Sequence, residues 1–255
     1  MEQVYQFDFV HDTQAVFRQL LMASAHPMSV RSVAEQLPGF SWSHPELWVV
    51  GCTLMDNETT FYVEMDADLE KGLADLTLAR HAAPNAADYI FLSAQLNYDT
   101  IRTLFAGAKK GTLEDPQKSA AFLISCPELS GNVAAEARGP GIQGTRRLSL
   151  SPYVAGICGL RTEIDSDYPC GIDLFFLSGD GQVMALPRLC RVVVKDGVGN
   201  GAGTAAGVTA DAADNAADNA AASIRSCPGG GTERDAELRS ENEEGRVSGT
   251  WRTQR

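Results

Sequence analysis

Over the first 194 residues, apolar side chains fall into short blocks at helical or strand spacing, separated by polar turns. Val16, Phe17, Leu20 and Leu21 recur on one helical face, with Asp12 at the N-cap position and a stop before Pro27. A second helix is predicted from Pro45 through Leu54, ending near Asp56-Asn57. Thr59 to Val63, β-branched and aromatic, follows as a strand. Leu69, Leu73 and Leu76 mark another helix, Tyr89 to Leu92 a buried strand, and Thr100 to Ala108 a helix. Ala121 to Ser125, Asn132 to Arg138 and Ile142 to Leu148 read as three more strands. Ser151-Pro152 opens a helix through Leu160, since proline suits a first turn.

The pattern closes on a hairpin. Leu174-Phe175-Phe176-Leu177 and a second apolar run ending in Ala185-Leu186-Pro187-Arg188 flank the turn Ser178-Gly179-Asp180-Gly181. Asp and Gly tolerate the positive φ that such turns demand. Strands apolar almost throughout suit burial on both faces. Val192 to Val194 is expected to extend the hairpin. Asp173 enters its first strand and Arg188 leaves its second, so both charges belong on one rim, as an ion pair or as two solvated strand ends. Interleaved helices and strands predict an α/β sandwich with a mixed sheet.

Composition shifts after Val194. Glycine-rich and Ala-Asp-Asn stretches replace the apolar blocks, so 195–255 is expected to be a flexible tail and 1–194 the working domain. A hydrophobic content of 44% supports a real core, while a net charge of -12 argues against nucleic acid and anionic membranes as partners. Six cysteines, at 52, 126, 158, 170, 190 and 227, include no Cys-x-x-Cys pair; most adjoin apolar residues, which suits buried free thiols. With neither a basic leader nor an apolar run of membrane-spanning length, the expected location is the cytoplasm.

Candidate chemistry is sparse. Gly139-Pro140-Gly141-Ile142 could nest a phosphate, but the Lys-Ser of a phosphate loop is missing and a sharp turn explains the glycines. Lys109-Lys110 sits at a helix end, where cations complement the dipole. Asp56-Asn57-Glu58 is ordinary turn chemistry, and His11, His26, His44 and His81 suit surface or capping roles. No Gly-x-Ser-x-Gly elbow appears. The residues alone assemble no catalytic, cofactor or metal centre.

Five segments in order carry a family resemblance. Phe17 to Ser24 with Pro27, Leu54 to Thr59, Gly111 to Pro116, Gly139 to Ile142 and Pro169 to Arg188 resemble the PhnH family of carbon–phosphorus lyase subunits, over roughly residues 8–194. Met28 departs from the pattern, which usually has glycine there. The resemblance implies a three-layer α/β fold similar to pyridoxal-phosphate-dependent transferases but without their cofactor. Lys71, Lys109, Lys110 and Lys118, in polar helical or loop stretches, suit no Schiff base. It further implies a non-catalytic subunit acting with PhnG, PhnI and PhnJ, able to pair with itself. That complex makes ribose 1-phosphonate 5-triphosphate from alkylphosphonate and ATP. Gly139, Pro140, Gly141, Gly171, Asp173, Pro187 and Arg188 are the candidate ligand or interface residues. A stand-alone nucleotide- or phosphonate-binding enzyme and a degenerate cofactor-binding domain are the competing readings.

Overall fold

The computed structural model describes residues 6–93, 95–164 and 167–195. The tail expected over 195–255 lies, from residue 196, outside the described residues. Among them run five α-helices: α1 (His11–Ala25), α2 (Pro45–Leu54), α3 (Ala67–Thr77), α4 (Tyr98–Gly107) and α5 (Pro152–Thr162). The strands are β1 (Arg31–Ser32), β2 (Thr60–Glu64), β3 (Arg80–His81), β4 (Tyr89–Leu92), β5 (Ala121–Cys126), β6 (Ser130–Arg138), β7 (Arg146–Leu150), β8 (Asp173–Ser178), β9 (Gln182–Leu186) and β10 (Arg191–Val194).

Seven strands form a mixed sheet in the order β1-β9-β8-β5-β4-β2-β3. From β3 to β8 neighbours pair in parallel, whereas β9 is antiparallel to both β8 and β1. Side chains alternate across a strand, and here each face has its own core. Leu174 and Phe176 of β8 join Phe122 and Ile124 of β5 against α4 and α5. Phe175 and Leu177 join Leu123 on the opposite face, against α1, α2 and α3. Helices therefore cover both faces, and the α/β class with a mixed sheet holds. Fully burying one such Leu or Phe contributes about 1.5–3 kcal/mol.

Helix starts follow capping chemistry. Asn97 accepts from the Thr100 amide at 2.8 Å, Asp66 from Leu69 at 3.0 Å and Ser151 from Val154 at 3.3 Å. At α1 the expectation needs correction. Asp12 lies inside the helix, and Asp8 does the capping, its Oδ1 accepting the Val10 and His11 amides at 2.8 and 3.1 Å. Asp12 returns one bond, its Oδ2 accepting the Asp8 amide at 2.9 Å. The face of α1 also rotates. Val16, Leu20 and Ala23 are buried, whereas Phe17 and Leu21 are exposed.

Two strand expectations shift as well. Ile142 belongs to a turn, and the strand begins only at Arg146. Val192 to Val194 does not prolong the hairpin. It lies in β10, which pairs with β6 in a separate antiparallel sheet, β10-β6-β7. Buried residues of that sheet, Val133, Ala135, Ala137 and Val192, complete the core under α4 and α5.

Met28 occupies the left-handed region at φ 61° with its side chain buried, and its amide donates to Ala185 at 2.8 Å. That backbone suits glycine, the residue absent here. Replacing Met28 by Ala discards the buried side chain but keeps the strained φ, costing about 2–5 kcal/mol. Met28→Gly removes the side chain and also the strain, worth about 1–2 kcal/mol. Urea unfolding should therefore find the glycine variant at least as stable as the alanine one. The opposite order would show that φ at residue 28 is unstrained.

Hydrogen bonds from the Val10 and His11 amides, then from the His11 ring, hold the Asp8 carboxyl down from its ordinary 3.8 to about 2. A depressed carboxylate stabilises the fold above its unfolded value and loses that contribution as pH falls through the folded one. Asp8→Ala should melt below the wild type at pH 7, and the gap should close as both are titrated toward pH 2. A gap independent of pH would assign the cap elsewhere.

Candidate functional site

The pairing of Leu174 with Leu186 places Asp173, at the start of β8, beside Arg188, just past the end of β9. The Arg188 amide donates to Asp173 Oδ1 at 2.7 Å, and its Nη2 lies 3.8 Å from Oδ2. Arg188 Nη1 also donates to the Pro116 carbonyl and, at 2.6 Å, to Ser119 Oγ. The half-buried guanidinium thus clasps the hairpin to the loop before β5. Gly171 belongs to the same rim, its amide donating to Lys110 O at 2.8 Å.

Arg161, in the last turn of α5, reaches the other side of these strand ends. Its Nη1 donates to Cys190 O at 2.6 Å, Nη2 to Pro187 O at 2.9 Å and Nε to Ile172 O at 3.4 Å. Burial lowers the pKa of this guanidinium, partly offset by the charge of Asp173. Gly139-Pro140-Gly141 stands behind the same turn. A Cβ on Gly139 would come within 2.8 Å of Cys190 Cα, and one on Gly141 within 2.5 Å of Ala25 O. Cys190 Sγ donates to Pro140 O at 3.3 Å. The glycines permit close packing of backbone on backbone, and protein atoms fill the space beside them.

Arg161, Arg188 and Arg191 line one cavity of about 490 Å3, floored by Gly171 and Ile172 and walled by Val192 to Val194. Asp173 and Pro187 line a neighbouring one of about 250 Å3. Of the seven expected residues, the fold gathers Gly171, Asp173, Pro187 and Arg188 at the strand ends and sets Gly139, Pro140 and Gly141 behind Cys190. Sequence reasoning missed Arg161 and Arg191. The one available signal was an arginine ending the apolar helix that Ser151-Pro152 begins. No carboxylate, imidazole or thiol is among the described residues lining the arginine cavity. Guanidiniums bind and neutralise anions but supply neither base nor nucleophile.

A second polar cluster lies at the other end of the sheet. Glu46 is buried, and its Oε1 accepts from Ser125 Oγ at 2.6 Å. His44 Nδ1 lies 3.3 Å from Ser125 Oγ and 3.4 Å from Glu46 Oε1. Glu46 Oε2 has no hydrogen-bond partner among the described residues. The shallow cavity alongside is lined by no lysine or arginine among the described residues, so it offers no permanent positive charge to an anion.

The remaining candidates have structural partners. Lys109 pairs with Asp88. Burial pushes the Asp88 carboxyl up, but hydrogen bonds from Lys109 and Thr60 outweigh it and hold the pKa below the ordinary value. Lys110 Nζ donates to Ala106 O at 3.3 Å, as a cation at a helix end should. Asp56 Oδ1 accepts from the Glu58 amide at 3.0 Å, an Asx turn. Burial raises the Cys52, Cys126 and Cys158 thiols to about 12, which leaves them protonated and inert. No cluster of three potential metal ligands occurs among the described residues.

Comparison with known proteins gives two likenesses. Residues 6–193 match the family described as "Bacterial phosphonate metabolism protein (PhnH)". A protein of Stutzerimonas stutzeri named "Putative C-P lyase subunit protein HtxG" is 28% identical over 182 residues, covering 71% of this chain and 86% of that protein.

The clasp yields a graded prediction. Arg188→Ala removes two hydrogen bonds and an ion pair at a half-buried position and should cost about 1–3 kcal/mol in urea unfolding. Asp173→Asn keeps an acceptor for the Arg188 amide and loses only charge, so it should cost at most about 1 kcal/mol. Equal costs would place the stabilisation in the ion pair instead of the hydrogen bonds.

Proposed function

Because the chain belongs to the PhnH family of bacterial phosphonate metabolism proteins, we propose that it is a non-catalytic subunit of a carbon–phosphorus lyase complex. In this reading it supports displacement of adenine from the ribose C1 of ATP by an alkylphosphonate oxygen, giving ribose 1-phosphonate 5-triphosphate and free adenine before carbon–phosphorus bond cleavage. PhnG, PhnI and PhnJ are its proposed partners, self-association as a homodimer is a further state, and the cytoplasm is the proposed setting. The family match over 6–193 carries the reading, and the name of the Stutzerimonas stutzeri relative supports it.

The architecture is consistent with a subunit that acts through surfaces. A seven-stranded mixed sheet with helices on both faces supports the likeness to pyridoxal-phosphate-dependent transferases. Their chemistry needs a sheltered Schiff-base lysine. Among the described residues, Lys71, Lys118 and Lys195 are exposed, and Lys109 and Lys110 are half-buried beside their partners, so the side chains present do not fit that cofactor. Phe17, Leu21 and Met22 stand exposed on α1 and offer apolar area to a partner. No helix among the described residues is long and apolar enough to cross a membrane.

Affinity purification of the tagged full chain, coexpressed with PhnG, PhnI and PhnJ, tests the proposal. The expected result is one complex that survives size-exclusion chromatography. Elution of the chain alone from cells making all four proteins would refute the subunit role. Robust turnover of ATP and methylphosphonate by the chain alone would replace it with the stand-alone enzyme.

A further inference from the structure

We propose that the cavity between α5 and β10 is a binding site for a small organic phosphonate or phosphate ester, held by Arg161, Arg188 and Arg191. The proposal goes beyond the subunit role and stands on charge geometry. In a chain of net charge -12, three guanidiniums around one cavity are a local reversal of sign. Among the described residues, Arg188 alone of the three has a carboxylate partner, Asp173. Arg161 is held by three neutral carbonyls and makes no salt bridge among the described residues. Arg191 is exposed, and its side chain makes neither hydrogen bond nor salt bridge among them. The two charges repel, and Arg191 contributes to the lowered pKa of Arg161.

Burying the Arg161 cation is costly, the charge of Asp173 offsets only part of that cost, and the Arg191 cation at the mouth of the same cavity adds to it. A dianion between them would offset both charges at once. Planar guanidiniums also match tetrahedral oxyanions geometrically, through paired N–H donors. Each guanidinium carries five N–H groups, and the carbonyls engage three of those on Arg161. Donors therefore remain for a ligand.

Size and lining select the class further. About 490 Å3 is far more than a bare oxyanion occupies and lies in the range of small-ligand sites. Ile164, Ile172 and Val193 give the cavity an apolar side on which an alkyl or ester substituent would rest. With no carboxylate, imidazole or thiol among the described lining residues, and the Thr162 hydroxyl donating to Gly159 O, the proposed role is retention or sensing.

Isothermal titration of the full-length protein with methylphosphonate, inorganic phosphate and ATP tests the site, each as a separate arm. Saturable binding of at least one, half-complete at or below about 1 mM, is expected. Tightest binding of methylphosphonate or of ATP identifies the class as phosphonate or phosphate ester, whereas tightest binding of inorganic phosphate would overturn that class. Arg191→Gln should weaken that binding at least about tenfold, and raising the salt should weaken it in the wild type. In a parallel measurement on the unmutated chain, the bound anion should protect Arg191 from phenylglyoxal, read by mass spectrometry. No saturable binding in any arm, or unchanged Arg191 labelling at saturation, would overturn the proposal. Neither result bears on copurification with PhnG, PhnI and PhnJ.

Discussion

A strand buried on both faces cannot find its register from polarity. β8 is such a strand, with Leu174 and Phe176 in one core and Phe175 and Leu177 in the other. Sliding it by one residue would exchange apolar side chains between two apolar environments, without the penalty that fixes a half-exposed strand. Polar groups at its ends supply the missing information. At one end Asp173 accepts the Arg188 amide. At the other, Ser178 bonds Asp180 across the turn and its carbonyl takes the Gly181 amide at 2.8 Å. The central pairing of the sheet rests on these few directional bonds, and the nonspecific energy of burial acts through them.

The same logic explains why arginine recurs at the rim. Where strands end, carbonyls face a region that neither helices nor sheet can satisfy, and each unmet acceptor is costly when buried. Arg161 spans three of them, at Ile172, Pro187 and Cys190, and Arg188 reaches Pro116 and Ser119. A guanidinium has the reach and the number of donors for this work, whereas lysine would deliver a point charge. Satisfying backbone in this way concentrates positive charge, which gives an acidic protein a cationic recess.

Much of this was legible in the chain. Helices α2 and α5, strand β4 and the β8–β9 hairpin follow from apolar spacing bounded by proline and by Asp-Gly turns, and the Asp173–Arg188 contact follows from hairpin length. The misses have local causes. Asp12 and Asp8 both precede an apolar run, and only the path of the chain at Val10 shows which one caps. Phe17 and Leu21 share helical spacing with Val16 and Leu20, but the stripe facing the core is narrower than the apolar sector of α1. β10 is an apolar run directly after a hairpin, and nothing in its composition distinguishes prolonging that hairpin from pairing with β6. Arg161 and Arg191 escaped because a cavity is a property of tertiary packing. Their chemistry is visible only when α5 and β10 are brought together.

The short turn from Pro187 to Cys190 has a thermodynamic meaning. Within it the chain leaves the seven-stranded sheet at Leu186 and enters the three-stranded one at Arg191. Arg161 grips a carbonyl at each end of the passage, and a third at the residue before β8. One helix-borne side chain is therefore bonded to the entrances of β8 and β10 together, so neither sheet can open at this point without breaking contacts that hold the other. Fluctuations that expose the amides at the entrances of β8 and β10 are therefore expected to be a single cooperative event.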